Sequence, residues 1–187
     1  MVKYNYFEVL DEMALYAHNA VKAVCAEGGS KKIFSEIRSD CNKTLFSLEN
    51  ALFSDFLPPL ERDNIAAYAH CLSRVVDTAT EHFALSHSIG ISRRKSEEER
   101  ICLELAAEIK KSTSMLKKLK KPGEIPNIEK FRELLHAGLE LHNAEISKIN
   151  SGSLPKAYAQ SVLSVGRLRI ELSRCFDELL EIMLNNI

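Results

Sequence analysis

Apolar residues recur along the chain with the period of an α-helix. Ile37, Cys41, Leu45, Leu48, Leu52 and Phe56 form one such stripe. Ile65, Ala69, Leu72, Val76, Ala79 and Phe83 form a second. Ile101, Leu105, Ile109, Met115 and Leu119 form a third, and Val165, Leu168, Leu172, Cys175, Leu179, Met183 and Ile187 a fourth. Residues three and four apart share one helix face, so each stripe predicts an amphipathic helix. Breakers separate the stripes: Gly28-Gly29, Pro58-Pro59, Gly90, Pro122-Gly123 and Ser151-Gly152-Ser153. Six helices are predicted: about 4–26, from just after Ser30 to about Phe53, from about Glu61 to Gly90, from after Ser96 to Pro122, about 127–149, and from about Pro155 onward. Ser96 followed by Glu99 has capping-box spacing, and Glu61 and Asp63 suit the positive end of a helix dipole. No run alternates with the period of two that a strand requires. Long amphipathic helices with short joints predict antiparallel bundle packing.

Composition narrows the function classes. Across 187 residues, 45% are hydrophobic and 27% charged, the balance of a globular chain long enough to bury its own core. The net charge of -1 gives no electrostatic case for nucleic acid or an anionic membrane. No apolar run reaches the length of a membrane span. The five cysteines form no CxxC pair. With no leader visible, a reducing cytoplasm is expected, with peripheral contact at the inner face of the membrane kept open. Cys41, Cys71 and Cys175 fall among apolar helical positions and are expected to be buried as small hydrophobes. His18, His70, His82, His87, His136 and His142 make no HExxH spacing, and His82 and His87 are expected at or near the surface. No phosphate loop or nucleophile elbow is present, so a soluble, non-enzymatic bundle is expected.

The most distinctive stretch is Phe56-Leu57-Pro58-Pro59-Leu60-Glu61-Arg62-Asp63-Asn64-Ile65. It resembles the inter-helix segment of the PhoU-like phosphate transport regulators, in the branch catalogued as domain of unknown function 47. Asn64 stands where that branch carries an acid. The opening around Tyr6-Phe7 and the six-helix plan are also similar to that family. The segment has a structural reading of its own: two prolines fix an extended turn and acids open the next helix. The resemblance implies an all-α, elongated helical bundle of two three-helix units in one domain over 1–187, with halves at about 1–92 and 93–187.

The same family is known for acidic pairs four residues apart that hold metal. Glu36 and Asp40 match the first pair; Asp77 matches the end of the second, with Ser73 where its first acid would be and Glu81 one turn further on. Side chains four apart stack on one helix face, and hard oxygen donors suit magnesium, manganese, iron or zinc. His70 shares the face of Asp77 and Glu81 and is a further candidate ligand; Arg74, on that face too, could neutralise the acids without metal. Both readings stay open: a metal site at Glu36, Asp40, Asp77, Glu81 and His70, or solvated ion-paired acids. In the second half the corresponding pairs fall near Glu140 with Ala144 and Arg167 with Glu171, each one acid short.

By resemblance, the chain is expected to regulate phosphate transport through protein–protein interaction, with a membrane phosphate transporter or a phosphate-signalling protein as partner. A homo-oligomer is expected. The basic residues Lys110, Lys111, Lys117, Lys118, Lys120 and Lys121, and the proline-rich segment, are candidate contact surfaces; Arg93-Arg94-Lys95 is a second basic run. The alternatives are an adaptor bundle with no phosphate role and a carboxylate-bridged metal enzyme. The latter would need Glu-x-x-His pairs, and neither Glu36 nor Glu140 has one.

Overall fold

The computed structural model describes residues 4–25, 29–55, 58–88, 96–118 and 126–185. They form six helices: α1 (Tyr6–Cys25), α2 (Lys31–Ser54), α3 (Arg62–Ser88), α4 (Glu97–Met115), α5 (Ile128–Asn150) and α6 (Ala159–Asn185). Among the described residues there is no strand. Phe56, Leu57, Leu119, Lys120, Lys121 and the run Arg93-Arg94-Lys95 lie outside them.

Polar side chains set the helix starts. Asn5 Oδ1 accepts from the Glu8 amide at 3.4 Å, which places the start of α1 at Tyr6. Ser30, Ser96 and Asn127 accept from the amides of Ile33, Glu99 and Lys130 in turn. Each satisfies a donor that has no partner inside the helix. After α5, Gly152 takes φ 77° and the chain reverses. Pro155 then leads into a 3₁₀ turn over Lys156–Tyr158, so α6 begins later than the sequence pattern predicts.

Helices α1, α2 and α3 pack on one another, as do α4, α5 and α6. The two units join through α3 against α6 and α1 against α4. The outer helices α2 and α5 bury little. α2 buries Phe34, Cys41, Leu48 and Leu52, and α5 buries Phe131, Gly138 and Ile149. Phe34, Cys41 and Leu48 are seven apart, a narrow seam like that of a coiled coil. Each outer helix is pinned by a stack from its first turn: Phe34 on Phe83 of α3 at 4.4 Å, and Phe131 on Phe176 of α6 at 3.7 Å. The two units thus repeat one device. The inner helices are buried far more broadly, with Leu10, Met13, Ile65, Leu72, Leu105, Leu168 and Leu172 all 0–1% exposed. Tyr68 of α3 joins Thr113 of α4 at 2.5 Å within this core, and Thr113 donates in turn to the Ile109 carbonyl.

Residues that carry the family resemblance meet in space. Tyr6 is buried, and its hydroxyl donates to Asp55 Oδ2 at 3.1 Å. Arg62 reaches back to the Asp55 carbonyl. Burial, with the Asp55 carboxylate beside it, pushes the Tyr6 hydroxyl up to about 12. The proline-rich turn is therefore clamped from both sides, while Leu60 and Ile65 plug its apolar underside.

Candidate functional site

The five candidate ligands lie on the outer face of α2 and α3. Their spacing puts them outside the apolar seam, and the side chains of Glu36, Asp40, Asp77 and Glu81 are 38–62% exposed. Each acid meets a cation. Glu36 faces Lys32 at 3.8 Å, Asp40 faces Lys43 at 3.1 Å, and Glu81 faces Arg167 of α6 at 3.6 Å. Arg38, two residues from both Glu36 and Asp40 and so on the other side of α2, crosses to Asp77 at 2.7 Å. His70 points instead to Glu49 of α2 at 3.1 Å. Among the described residues, no three His, Cys, Asp or Glu side chains converge as a metal site would require. Asp77 of α3 is thus held by Arg38, while Glu36 and Asp40 pair with lysines of their own helix. Exposed pairs of this kind each contribute about 0–1 kcal/mol.

Arg74 does not neutralise Asp77 or Glu81. It bonds Glu171 of α6 at 3.1 Å and approaches Cys71 Sγ at 2.8 Å. Glu140 pairs with His136 within α5 at 3.7 Å, and Glu171 also takes Arg174 at 2.8 Å. Across the seam, Arg74–Glu171 and Glu81–Arg167 therefore form reciprocal crossings between the units.

A second cluster is buried at the start of α4. Glu98 is 0% exposed and Glu99 4%. Glu98 accepts from Arg169 Nε of α6 at 3.1 Å and meets His142 Nδ1 of α5 at 3.2 Å. Glu99 Oε1 lies 2.8 Å from His82 Nε2 of α3, and His82 Nδ1 lies 2.6 Å from Ser164 Oγ of α6. Burial pushes the Glu98 carboxyl above its ordinary value, while the bond from Arg169 and the His142 ring pull it back. The first-turn amides of α4 also favour the two acids. Two glycines make room for the two partners of Glu98. A Cβ at position 138 would lie 2.6 Å from Arg169 Cδ, and one at position 166 would lie 2.5 Å from His142 Cε1.

His82 is thus 1% exposed rather than near the surface, because a carboxylate and a hydroxyl meet both ring nitrogens inside the bundle. The order serine–histidine–acid is that of a nucleophile relay; Ser164 Oγ lies 2.6 Å from His82 Nδ1 and 2.9 Å from the Ser161 carbonyl, and its one proton can serve either acceptor. The string is a buried polar cross-link between three helices, and Ser164 within it is 6% exposed. Phase counting finds Glu98: it stands three and four residues before Ile101 and Cys102, on the buried stripe of α4. Arg169 carries the same signal, four residues after Val165 and three before Leu172, and His142 stands four after Gly138 and seven before Ile149.

Beside Glu99 a cleft of about 780 Å³ opens between the start of α4, the end of α5 and the start of α6. Ser96, Glu145, Lys148, Tyr158 and Val162 line it. Of the basic run, Lys110 and Lys111 edge a shallow groove with Asp11 and His18, and Lys117 pairs with Asp11. Large apolar side chains stand exposed on the outer helix α2, where Phe46 is 66% and Phe53 92% exposed. No described helix is long and apolar enough to cross a membrane.

No protein-family model and no curated protein matches the sequence. Solved structures do. One is a PhoU-like protein from Shewanella oneidensis MR-1, 12% identical, with a TM-score of 0.75 over 97% of this chain and 100% of that one. Another, a candidate PhoU-like phosphate regulatory protein from the same organism, is 13% identical, with a TM-score of 0.69 over 97% of this chain and 96% of that one. At such identities the likeness speaks for the path of the backbone, and it runs end to end: this chain has the PhoU-like fold of two triple-helix units.

Proposed function

We propose that the chain is a PhoU-like, non-enzymatic regulator of phosphate transport that acts by docking a helical surface on a transporter or a phosphate-signalling protein. The observation that carries this reading is the end-to-end match to two PhoU-like structures, one of them described as phosphate regulatory. The burial of the serine–histidine–acid string, with Ser164 6%, His82 1% and Glu99 4% exposed, supports a role without catalysis. The docking surface in this reading is the outer face of α2, where Phe46 and Phe53 stand seven residues apart on one side of the helix.

Deleting the gene in its host should change the uptake of labelled phosphate, and the wild-type chain should restore it. A Phe46→Asp, Phe53→Asp variant, folded by circular dichroism, should fail to restore it. Unchanged uptake on deletion would favour the adaptor reading, a bundle that shares the fold without the phosphate role.

Metal binding by Glu36, Asp40, Asp77, Glu81 and His70 belongs to the same proposal. It requires a cation to displace Arg38 from Asp77 and α2 to turn until Glu36 and Asp40 face α3. Elemental analysis of untagged, chelator-free protein tests this. Iron, manganese or zinc near integer stoichiometry, lost in a Glu36→Ala, Asp77→Ala variant, is the expected result. Protein free of metal in both forms would leave these acids as the ion pairs described above.

A further inference from the structure

The seam between the two units holds a pair of thiols whose surroundings differ from those of the other buried cysteines. Helices α3 and α6 run antiparallel in one register, with Ser86 opposite Ser161, His82 opposite Ser164 and Arg74 opposite Glu171. One turn further along, the same register brings Cys71 to Cys175. Both are buried, at 2% and 0% exposure. The register sets the two sulfurs side by side, within reach of one another's influence. Arg74 Nη2 stands 2.8 Å from the same sulfur, and Glu171 fixes that guanidinium at 3.1 Å. Arg74 itself is half exposed, so the thiol pair lies one side chain below solvent.

This is the setting that activates a thiol: a cation beside the sulfur, and a neighbouring thiol to stabilise its charge. The neighbouring Cys175 thiol, and then the charge of Arg74, hold the Cys71 thiol below its ordinary value against the opposing effect of burial. Burial pushes the thiols of Cys41, Cys102 and Cys175 the other way. Two thiols set side by side need their sulfurs to close by only roughly 2 Å to reach the disulfide bond length.

We propose that Cys71 and Cys175 are a redox-active dithiol, which a hydroperoxide converts into a disulfide joining α3 to α6. The Cys71 thiolate attacks the terminal peroxide oxygen, the O–O bond breaks, and the leaving alkoxide takes a proton to become an alcohol. Cys71 is then a sulfenic acid. The Cys175 sulfur attacks Cys71 sulfur, the S–S bond forms, and hydroxide leaves with the Cys175 proton as water. Two thiols lose two electrons in all, and the hydroperoxide is reduced to an alcohol and water. The bond ties residue 71 in the first unit to residue 175 in the second, so oxidation locks the two units together. This inference is independent of the phosphate reading.

The test exposes the intact chain to a few equivalents of hydrogen peroxide, then alkylates the remaining thiols in denaturant. Before alkylation the expected product is about 2 Da lighter than the untreated chain, and afterwards three of its five cysteines carry the alkyl group instead of all five. Without reduction, trypsin should release peptide 63–74 joined to peptide 175–187. Cys175→Ser should stop at the sulfenic acid, which dimedone traps on Cys71. Arg74→Gln should slow the reaction by roughly tenfold for each unit its thiol rises. Five free thiols after exposure, or disulfides that join other cysteines, would overturn the proposal using wild-type protein alone. No dimedone adduct on a folded Cys175→Ser variant would also overturn it.

Discussion

Replacing Arg169 by methionine tests the buried acid at the start of α4. Methionine keeps the length of the arginine stem, which already lies over Gly138. The substitution takes the guanidinium from Glu98, which is 0% exposed, and leaves the carboxylate with His142 at 3.2 Å. Removing one partner of a buried ion pair costs about 3–5 kcal/mol while the orphan stays charged. Glu98 escapes part of that cost by taking a proton. Its carboxyl already lies above the ordinary value through burial, and without Arg169 it rises further. The folded state then holds a proton that the unfolded state releases. The stability tied to this group is therefore fully present below the ordinary carboxyl pKa and is lost as pH rises through the raised one. Urea unfolding followed by circular dichroism, for wild type and Arg169→Met at pH 5 and pH 8, reads this directly. The variant should lose about 3 kcal/mol at pH 8. At pH 5 the loss should be smaller by about 1.4 kcal/mol for each unit over which Glu98 stays protonated. A Glu98→Gln, Arg169→Met double variant should return to within about 1 kcal/mol of wild type at both pH values, since no charge is then stranded. Equal losses at the two pH values, or a double variant no better than the single one, would refute the reasoning.

Two further outcomes follow from single contacts. Tyr6→Phe deletes the bond to Asp55 and should cost about 1 kcal/mol at neutral pH. The wild-type hydroxyl is raised from 10 to about 12, so the folded state keeps its proton longer and wild type should lose stability as pH climbs from 10 to 12. The phenylalanine variant should be flatter across that window in alkaline unfolding, and an identical slope would sink the assignment. Gly166→Ala places a Cβ 2.5 Å from His142 Cε1, which must swing away from Glu98. It should destabilise by about 1–3 kcal/mol. It should also speed amide exchange in α5 more than in α1, because α5 buries only three residues and depends on such links. Uniform protection would contradict it.

What the sequence makes plain here is whatever depends on one helix at a time. Ser30 and Ser96 mark the starts of α2 and α4, and Pro58-Pro59 and Gly152 follow closely on the ends of α2 and α5, whereas α4 ends at Met115, seven residues before Pro122. Helical phase likewise places Glu36, Asp40, Asp77 and Glu81 at the surface. It cannot show that Arg38 reaches Asp77 or that Arg74 turns to Glu171, because those contacts depend on how two helices rotate about each other. The capping-box reading of Ser96 and Glu99 shows the same limit. The serine caps as expected, while the glutamate side chain goes to His82 on another helix. A local motif was satisfied, and a tertiary contact took over one of its members.

The residues that carry the family resemblance turn out to be residues that hold the chain together. Tyr6, Asp55 and Arg62 clamp the turn between α2 and α3, and the prolines and buried Leu60 shape it. Losing such a clamp would loosen the first unit, whatever the chain does in the cell. The segment is therefore strong testimony to architecture and weak testimony to activity. The seam makes the same point from the charged side. Arg74–Glu171, Glu81–Arg167 and Arg169–Glu98 all tie α6 to a helix of the bundle, and their pairing fixes one register where an all-apolar seam would tolerate several. Function has to be sought on surfaces the fold does not need. Phe46 and Phe53 are such a surface, since their exposure costs solubility and returns no packing, and an outer helix that buries so little leaves most of its face free for a partner.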